Sequence, residues 1–208
     1  MASSMTARMK DGLNRNQPAY WDARFAEAGY AYGTDANDFL VAVAPDLPRG
    51  DALCLCEGEG RNACYLAALG FTATAVDFSS VALEKASALA TARGLRLKTH
   101  CADLDGFDPG VSCWDLVTVI FGQPEAGVRR ALYARIHACL RPGGAFVLET
   151  KAEADADANS RYPGFAVLCA ELVGMEFTIA REGSRLLKEG RYHDGEQYTA
   201  QIAAFKKL

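Results

Sequence analysis

The residues of this chain best suited to chemistry form a short acidic, glycine-rich stretch, Glu57-Gly58-Glu59-Gly60-Arg61-Asn62. Gly58 and Gly60 allow a sharp turn and let a ligand come close to the backbone. The two carboxylates narrow the choice of ligand. A dinucleotide rests its pyrophosphate on bare N–H groups at a helix start, and Glu57 and Glu59 would repel it. Ala63 stands where G-x-G-x-x-G needs its third glycine, and no Gly-Lys-Ser/Thr follows to make a P-loop. A cationic, phosphate-free ligand suits the loop, and S-adenosylmethionine is one, carrying a sulfonium and an α-ammonium. Two more acids fit an adenosine ligand. Val76-Asp77-Phe78-Ser79 places a carboxylate where ribose hydroxyls can donate to it, as in nicotinamide enzymes too. In Cys101-Ala102-Asp103-Leu104, Asp103 can receive the adenine amino group while Leu104 covers the ring.

These residues need a frame that brings them to one edge, and the hydrophobic pattern supplies it. Apolar strands are predicted at 52–56, 72–76, 95–100, 116–121 and 144–149. Helices alternate with them at 61–69, 79–93 and 124–140, with Gly70 and Gly94 as stops and Ser79 or Ser80 as a cap. Short continuous apolar strands are covered on both faces, and strict alternation builds right-handed βαβ units. The tail breaks the rhythm. After a helix at 165–173, strands at 177–180 and 198–205 flank His193-Asp194-Gly195, which reads as an antiparallel hairpin. The fold class is α/β, a doubly wound, mostly parallel sheet. Acids at the carboxyl ends of its strands share one ligand crevice.

The chain of 208 residues, half of them hydrophobic, suits one domain over 1–208. It divides into an N-terminal segment (1–35), a cofactor core (36–150) and an acceptor loop with hairpin (151–208). The net charge of −4 argues against a dedicated nucleic-acid binder, although Arg129, Arg130 and Arg135 could form a local basic patch, as could Lys206 and Lys207. No apolar run reaches the roughly 18 residues of a membrane span. Residues 1–10 are polar and unlike a signal peptide, so a cytoplasmic location is expected. Seven scattered cysteines read as small buried hydrophobes in a reducing compartment. No His or Cys pair stands at metal-ligand spacing, so no metal is expected.

The order E-G-E-G-R-N, V-D-F-S, A-D-L, W-D-L-V-T-V-I-F and L-R-P-G-G, spanning about 51–149, resembles the class I S-adenosylmethionine-dependent methyltransferases. The loop form, the Tyr30-Ala31-Tyr32-Gly33 segment, and Glu189, Gly190, His193 and Gly195 in the tail are similar to a small bacterial branch related to tellurite-resistance methyltransferases. The resemblance implies a seven-stranded sheet whose last strand is antiparallel. It implies Glu57, Gly58, Glu59 and Gly60 against the methionine part of the cofactor, Asp77 with Phe78 at the ribose, and Asp103 and Leu104 at the adenine. Ile120 and Phe121 would line the cleft. It also favours a lid in which Trp21, Arg24 and Tyr32 close over the cofactor, with Arg24 near its carboxylate. Two positions depart from the family, which usually has an acid where Cys54 stands and a glycine where Cys56 stands. The first loses a hydrogen-bond anchor for which Glu57 should compensate; the second tightens the turn.

Methyl transfer is an in-line displacement, so alignment supplies most of the acceleration. A thiolate or metalloid oxyanion needs no base, whereas a hydroxyl or amine acceptor wants one. Candidates at the active edge are Gln123, Glu149, Tyr162 and His193, with His193 and Tyr162 preferred; His100 and His137 read as structural. The acceptor segments are short, which suggests a small-molecule acceptor. Two alternatives stand beside this reading: a non-catalytic protein that binds S-adenosylmethionine or S-adenosylhomocysteine, and a nicotinamide-dependent oxidoreductase, against which the Glu57/Glu59 pair counts.

Overall fold

The computed structural model describes residues 14–208; the polar stretch at 1–10 lies outside the described residues. Two short helices, α1 (Pro18–Phe25) and α2 (Asp38–Val43), precede the sheet. Then follow β1 (Asp51–Leu55), α3 (Arg61–Ala68), β2 (Thr72–Asp77), α4 (Ser80–Ala92), β3 (Lys98–Cys101), β4 (Trp114–Ile120), α5 (Ala126–Cys139) and β5 (Leu140–Lys151). The chain closes with α6 (Phe165–Glu171), β6 (Met175–Lys188) and β7 (Asp194–Lys206). The described residues form a seven-stranded sheet in the order β3-β2-β1-β4-β5-β7-β6. β1 to β5 pair in parallel, and β7 runs antiparallel to both β5 and β6.

Residue alternation explains why both faces are covered. Leu53 and Leu55 point into a cluster with Val117, Val119, Leu132 and Ile136, under α5 and α6. Ala52 and Cys54 point the other way, toward Ala63, Leu66 and Leu83, and toward Phe39 and Leu40 of α2. The second face carries small strand residues, so α3 can approach closely. Each fully buried leucine contributes about 1.5–3 kcal/mol relative to exposure.

Strand order reverses between β1 and β4, and register decides what gathers there. Leu55 lies beside both Val76 and Val119, so the ends of β1, β2 and β4 are level. Asp77, Ile120 and the turn after Leu55 therefore open on one crevice, at the switch point where doubly wound sheets take their ligands.

The sheet differs from expectation at its margins. β3 starts at Lys98 and is exposed throughout, an edge strand rather than one covered on both faces. Leu140, expected to end a helix, has an extended backbone and opens β5. β4 stops at Ile120 because Phe121 turns to φ +54°, its N–H donating to the Glu149 carbonyl at 2.6 Å. β6 is far longer than 177–180, because an outer strand wetted on both sides needs no apolar alternation. The basic patch is not at the surface as such: Arg129 is buried, donating to Glu171 at 2.8 and 2.9 Å and to the carbonyls of Ala158 and Ser160 at 2.7 Å. Arg130 also donates to the Ala158 carbonyl, so these arginines hold down the loop before α6.

Candidate active site

The turn after β1 is built on left-handed backbone. Cys56, where the resemblance calls for glycine, takes φ +52°, and Gly58 and Gly60 take +63° and +87°. A side chain in that region costs about 1–3 kcal/mol, which the half-buried packing of Cys56 must offset. Gly60, the N-cap of α3, has no side chain to cap it. Glu57 does so instead: one of its carboxylate oxygens accepts from the N–H groups of Asn62 at 2.9 Å and Ala63 at 2.8 Å. Burial nevertheless raises Glu57 to about 7, the backbone bonds only partly opposing it. Asp77 accepts from Gly58 N–H and Ser79 N–H, both at 2.9 Å, clamping the turn to the end of β2. Burial raises it as well, to about 6. Each Asp77 oxygen retains a second lone pair for a hydroxyl donor.

Glu59 is different. One oxygen accepts from Ala31 N–H at 2.7 Å and the other pairs with Lys85 of α4 at 2.9 Å. Its charge therefore ties the N-terminal segment to the core, and the expected pair of free carboxylates reduces to Glu57. Both Lys85 and Ala31 are remote in sequence, which hid this pairing.

A cavity of about 440 Å³ lies over the turn. Trp21, Arg24, Tyr32, Glu57, Gly58, Glu59, Asp77, Phe78, Asp103, Leu104, Ile120, Phe121 and His193 all line it. Gly60 and Tyr162 are outside that lining. Gly60 serves packing: a Cβ there would stand 2.6 Å from Ala86 Cβ on α4. Tyr162 lies in the loop before α6, its carbonyl accepting from Glu153 N–H. Gln123 lines the cavity. Glu149 does not; fully buried, it receives Arg185 at 2.7 and 3.0 Å, Asn37 at 2.5 Å and Gln201 at 2.8 Å. That is a structural carboxylate with its lone pairs spent.

Aromatic rings line one side of the cavity. Trp21 stacks on Phe25 with centroids 5.8 Å apart and donates to the Arg15 carbonyl at 2.8 Å. Arg24 lies 3.6 Å above the Tyr192 ring and donates to the hydroxyls of Tyr20 and Tyr32. Its Nε is buried without a hydrogen-bond partner. Tyr32, pushed up to about 12 by burial, and Phe121 sandwich His193, with centroids at 4.6 and 4.3 Å. Burial and then the charges of Arg61, Lys151, Arg185 and Arg24 lower His193 to about 3, so it is neutral at physiological pH.

The site also contains cations that sequence reasoning passed over. Arg15, Arg61, Lys151 and Arg161 line the cavity. Arg61 carried a signal: a cation in the first helical turn opposes the helix dipole and calls for a reason. Glu189 supplies part of one, pairing with Arg61 Nη2 at 2.6 Å. Among the described residues, no group of His, Cys, Asp and Glu could hold a metal ion, and no helix is long and apolar enough to cross a membrane.

Comparisons with known proteins bear on the fold and family. Residues 52–144 match a family described as a methyltransferase domain. Among curated proteins none matches the sequence significantly. Solved structures share the fold. One described as the conversion of a disulfide bond into a thioacetal group during echinomycin biosynthesis superposes with TM-score 0.72 at 18% identity, over 91% of this chain and 89% of that one. TehB from Haemophilus influenzae gives 0.69 at 16% identity, over 91% and 67%. A SAM-dependent methyltransferase from Methanosarcina mazei gives 0.65 at 15% identity, over 84% and 99%. At such identities the likeness is one of fold.

Proposed function

We propose that this chain is an S-adenosylmethionine-dependent methyltransferase, a reading its match to a methyltransferase domain supports, and that it methylates a small molecule entering the 440 Å³ cavity beside His193. The cofactor fits the groups present. Glu57 and Asp77 are acids that burial has left partly protonated, and a cationic ligand relieves that state. Arg24 offers a buried, unpartnered N–H to a carboxylate. In this reading Asp77 with Phe78 takes the ribose, and Asp103 with Leu104 takes the adenine. Glu57, Gly58, Glu59 and Gly60 shape the turn beneath the methionine part. Trp21, Arg24 and Tyr32 cover it, with Ile120 and Phe121 as the floor. The loop and tail residues are similar to those of the branch related to tellurite resistance.

The bound cofactor supplies an electrophilic methyl group on a sulfonium. The ring walls of Tyr32 and Phe121 exclude water and fix the plane of His193. His193 takes the proton of a hydroxyl or amine acceptor as the new bond to carbon forms. Positioning by these walls supplies most of the acceleration, and the base adds about 10²–10⁴-fold.

The observation that carries the reading is the raised, cavity-lining pair Glu57 and Asp77 at the switch point. Calorimetry with S-adenosylmethionine and S-adenosylhomocysteine tests it, followed by a screen of small acceptors for S-adenosylhomocysteine release. Both ligands should bind and at least one acceptor class should turn over. Binding of both without any turnover would favour a non-catalytic binder. Binding of NAD instead would overturn the reading.

A further inference from the structure

The side of the cavity beyond the proposed cofactor groups holds cations and buried polar atoms that the protein itself leaves unsatisfied. Arg61 is 6% exposed, and although its Nη2 pairs with Glu189, its Nη1 is buried without a partner. His193, 8% exposed, has Nδ1 in the same condition, 4.0 Å from the same Glu189 oxygen that Arg61 holds. A buried polar atom left without a partner is costly, so these atoms call for a ligand. Lys151, at the carboxyl end of β5, lines the cavity with them. Among the described residues, neither Lys151 nor Arg15 has an ion pair or side-chain hydrogen bond; Arg15 lies only over the Tyr20 ring, 5.6 Å from its centroid. Burial and then the charge of Arg15 lower Lys151 from its ordinary value, as expected where like charges crowd without a counter-ion. Among the described residues acids answer Arg61, through its pair with Glu189 and the nearby charge of Glu57, but not Lys151. Glu189 is taken by Arg61, Arg185 and Asn37, and Glu125 accepts from Asn16.

We infer that the methyl acceptor is an organic anion whose carboxylate or phosphate group is received by Lys151 and Arg61 Nη1, which sets its nucleophilic atom beside His193. This deepens the methyltransferase reading and rests on it. A planar guanidinium edge and a mobile ammonium suit either oxyanion, and Arg15 adds long-range attraction. Burial is the main cause that lowers His193, but the charges of Arg61 and Lys151 add to it, so an anion seated on them raises its basicity in part. Lys151 is thus a specificity-determining residue, not a part of the cofactor site.

The test uses the full chain loaded with S-adenosylhomocysteine. Crystals soaked in sodium bromide should show an anomalous peak between Lys151 and Arg61, and no such peak in Lys151→Met. Calorimetry at low salt should find benzoate or inorganic phosphate binding at least tenfold more tightly than benzamide. The tighter of the two anions identifies the headgroup. Lys151→Met should cost the anion at least tenfold while S-adenosylhomocysteine affinity stays within about twofold, which also shows that the variant is folded. An anomalous map without a peak at Lys151 in the wild type, or anions binding no better than benzamide, overturns the inference. If S-adenosylhomocysteine itself does not bind, the fault lies with the methyltransferase reading instead.

Discussion

Asp77 and Glu57 carry most of the cofactor argument, and their buried state makes it testable by pH. An ionised carboxylate is stabilised by a sulfonium, so binding lowers both acids from about 6 and about 7 and expels protons. Affinity for S-adenosylmethionine should therefore rise with pH from 5 to about 7 and then level off. S-adenosylhomocysteine, lacking the sulfonium charge, should rise less. His193, at about 3 in the folded state, changes no charge in that window. Calorimetry across pH 5–8 checks this; a flat profile for both ligands would remove the electrostatic role of Glu57. Asp77→Ala removes the ribose acceptor and should weaken both ligands by about 10–100-fold, on the basis of about 1.5–3 kcal/mol for hydrogen bonds to a charged group. His193→Ala should lower kcat by about 100-fold or more for a hydroxyl or amine acceptor while leaving cofactor affinity within about twofold. Equal loss of binding would make His193 a wall of the cavity only.

Elements are held around the site by contacts that leave no room for substitution. The β6–β7 turn meets the N-terminal segment backbone to backbone, since a Cβ on Gly190 would lie 2.3 Å from Gly33 N. The helices α3 and α4 meet in the same way through Gly60 and Ala86. Gly60→Ala combines a left-handed backbone with a clash and should destabilise the fold by about 2–4 kcal/mol, visible as a lower denaturant midpoint. Arg129, buried against Glu171 and two loop carbonyls, holds the loop before α6. Arg129→Met leaves the Glu171 charge buried and unpaired, and should cost about 3–5 kcal/mol. Little of this was legible beforehand. Gly60 and Arg129 were visible as residue types, but Ala86, Glu171 and the Ser160 carbonyl reach them only through the fold. The same applies to Lys85, which removes Glu59 from the expected acidic pair.

On the scale of the whole molecule, the legible part is the part with two covered faces. β1, β2 and β4 bury apolar side chains on both sides, so composition alone marked them, and Gly70 and Gly94 marked the helix ends. β3 and much of β6 face water at the sheet's two margins, where hydrophobic patterning has nothing to report. That central frame brings Glu57, Asp77 and Asp103 to one cavity, as acids at strand ends must share the crevice. Of the proposed acceptor side only His193 was legible; Arg15, Arg61 and Lys151, which line the cavity with it, come from distant parts of the chain.

The most direct test is a crystal structure with S-adenosylhomocysteine. The account predicts its ribose hydroxyls on Asp77 beside Phe78, its adenine on Asp103 and Leu104, and its carboxylate on Arg24. A ligand seated elsewhere, or a nicotinamide dinucleotide taking the turn after β1 in its place, would contradict it.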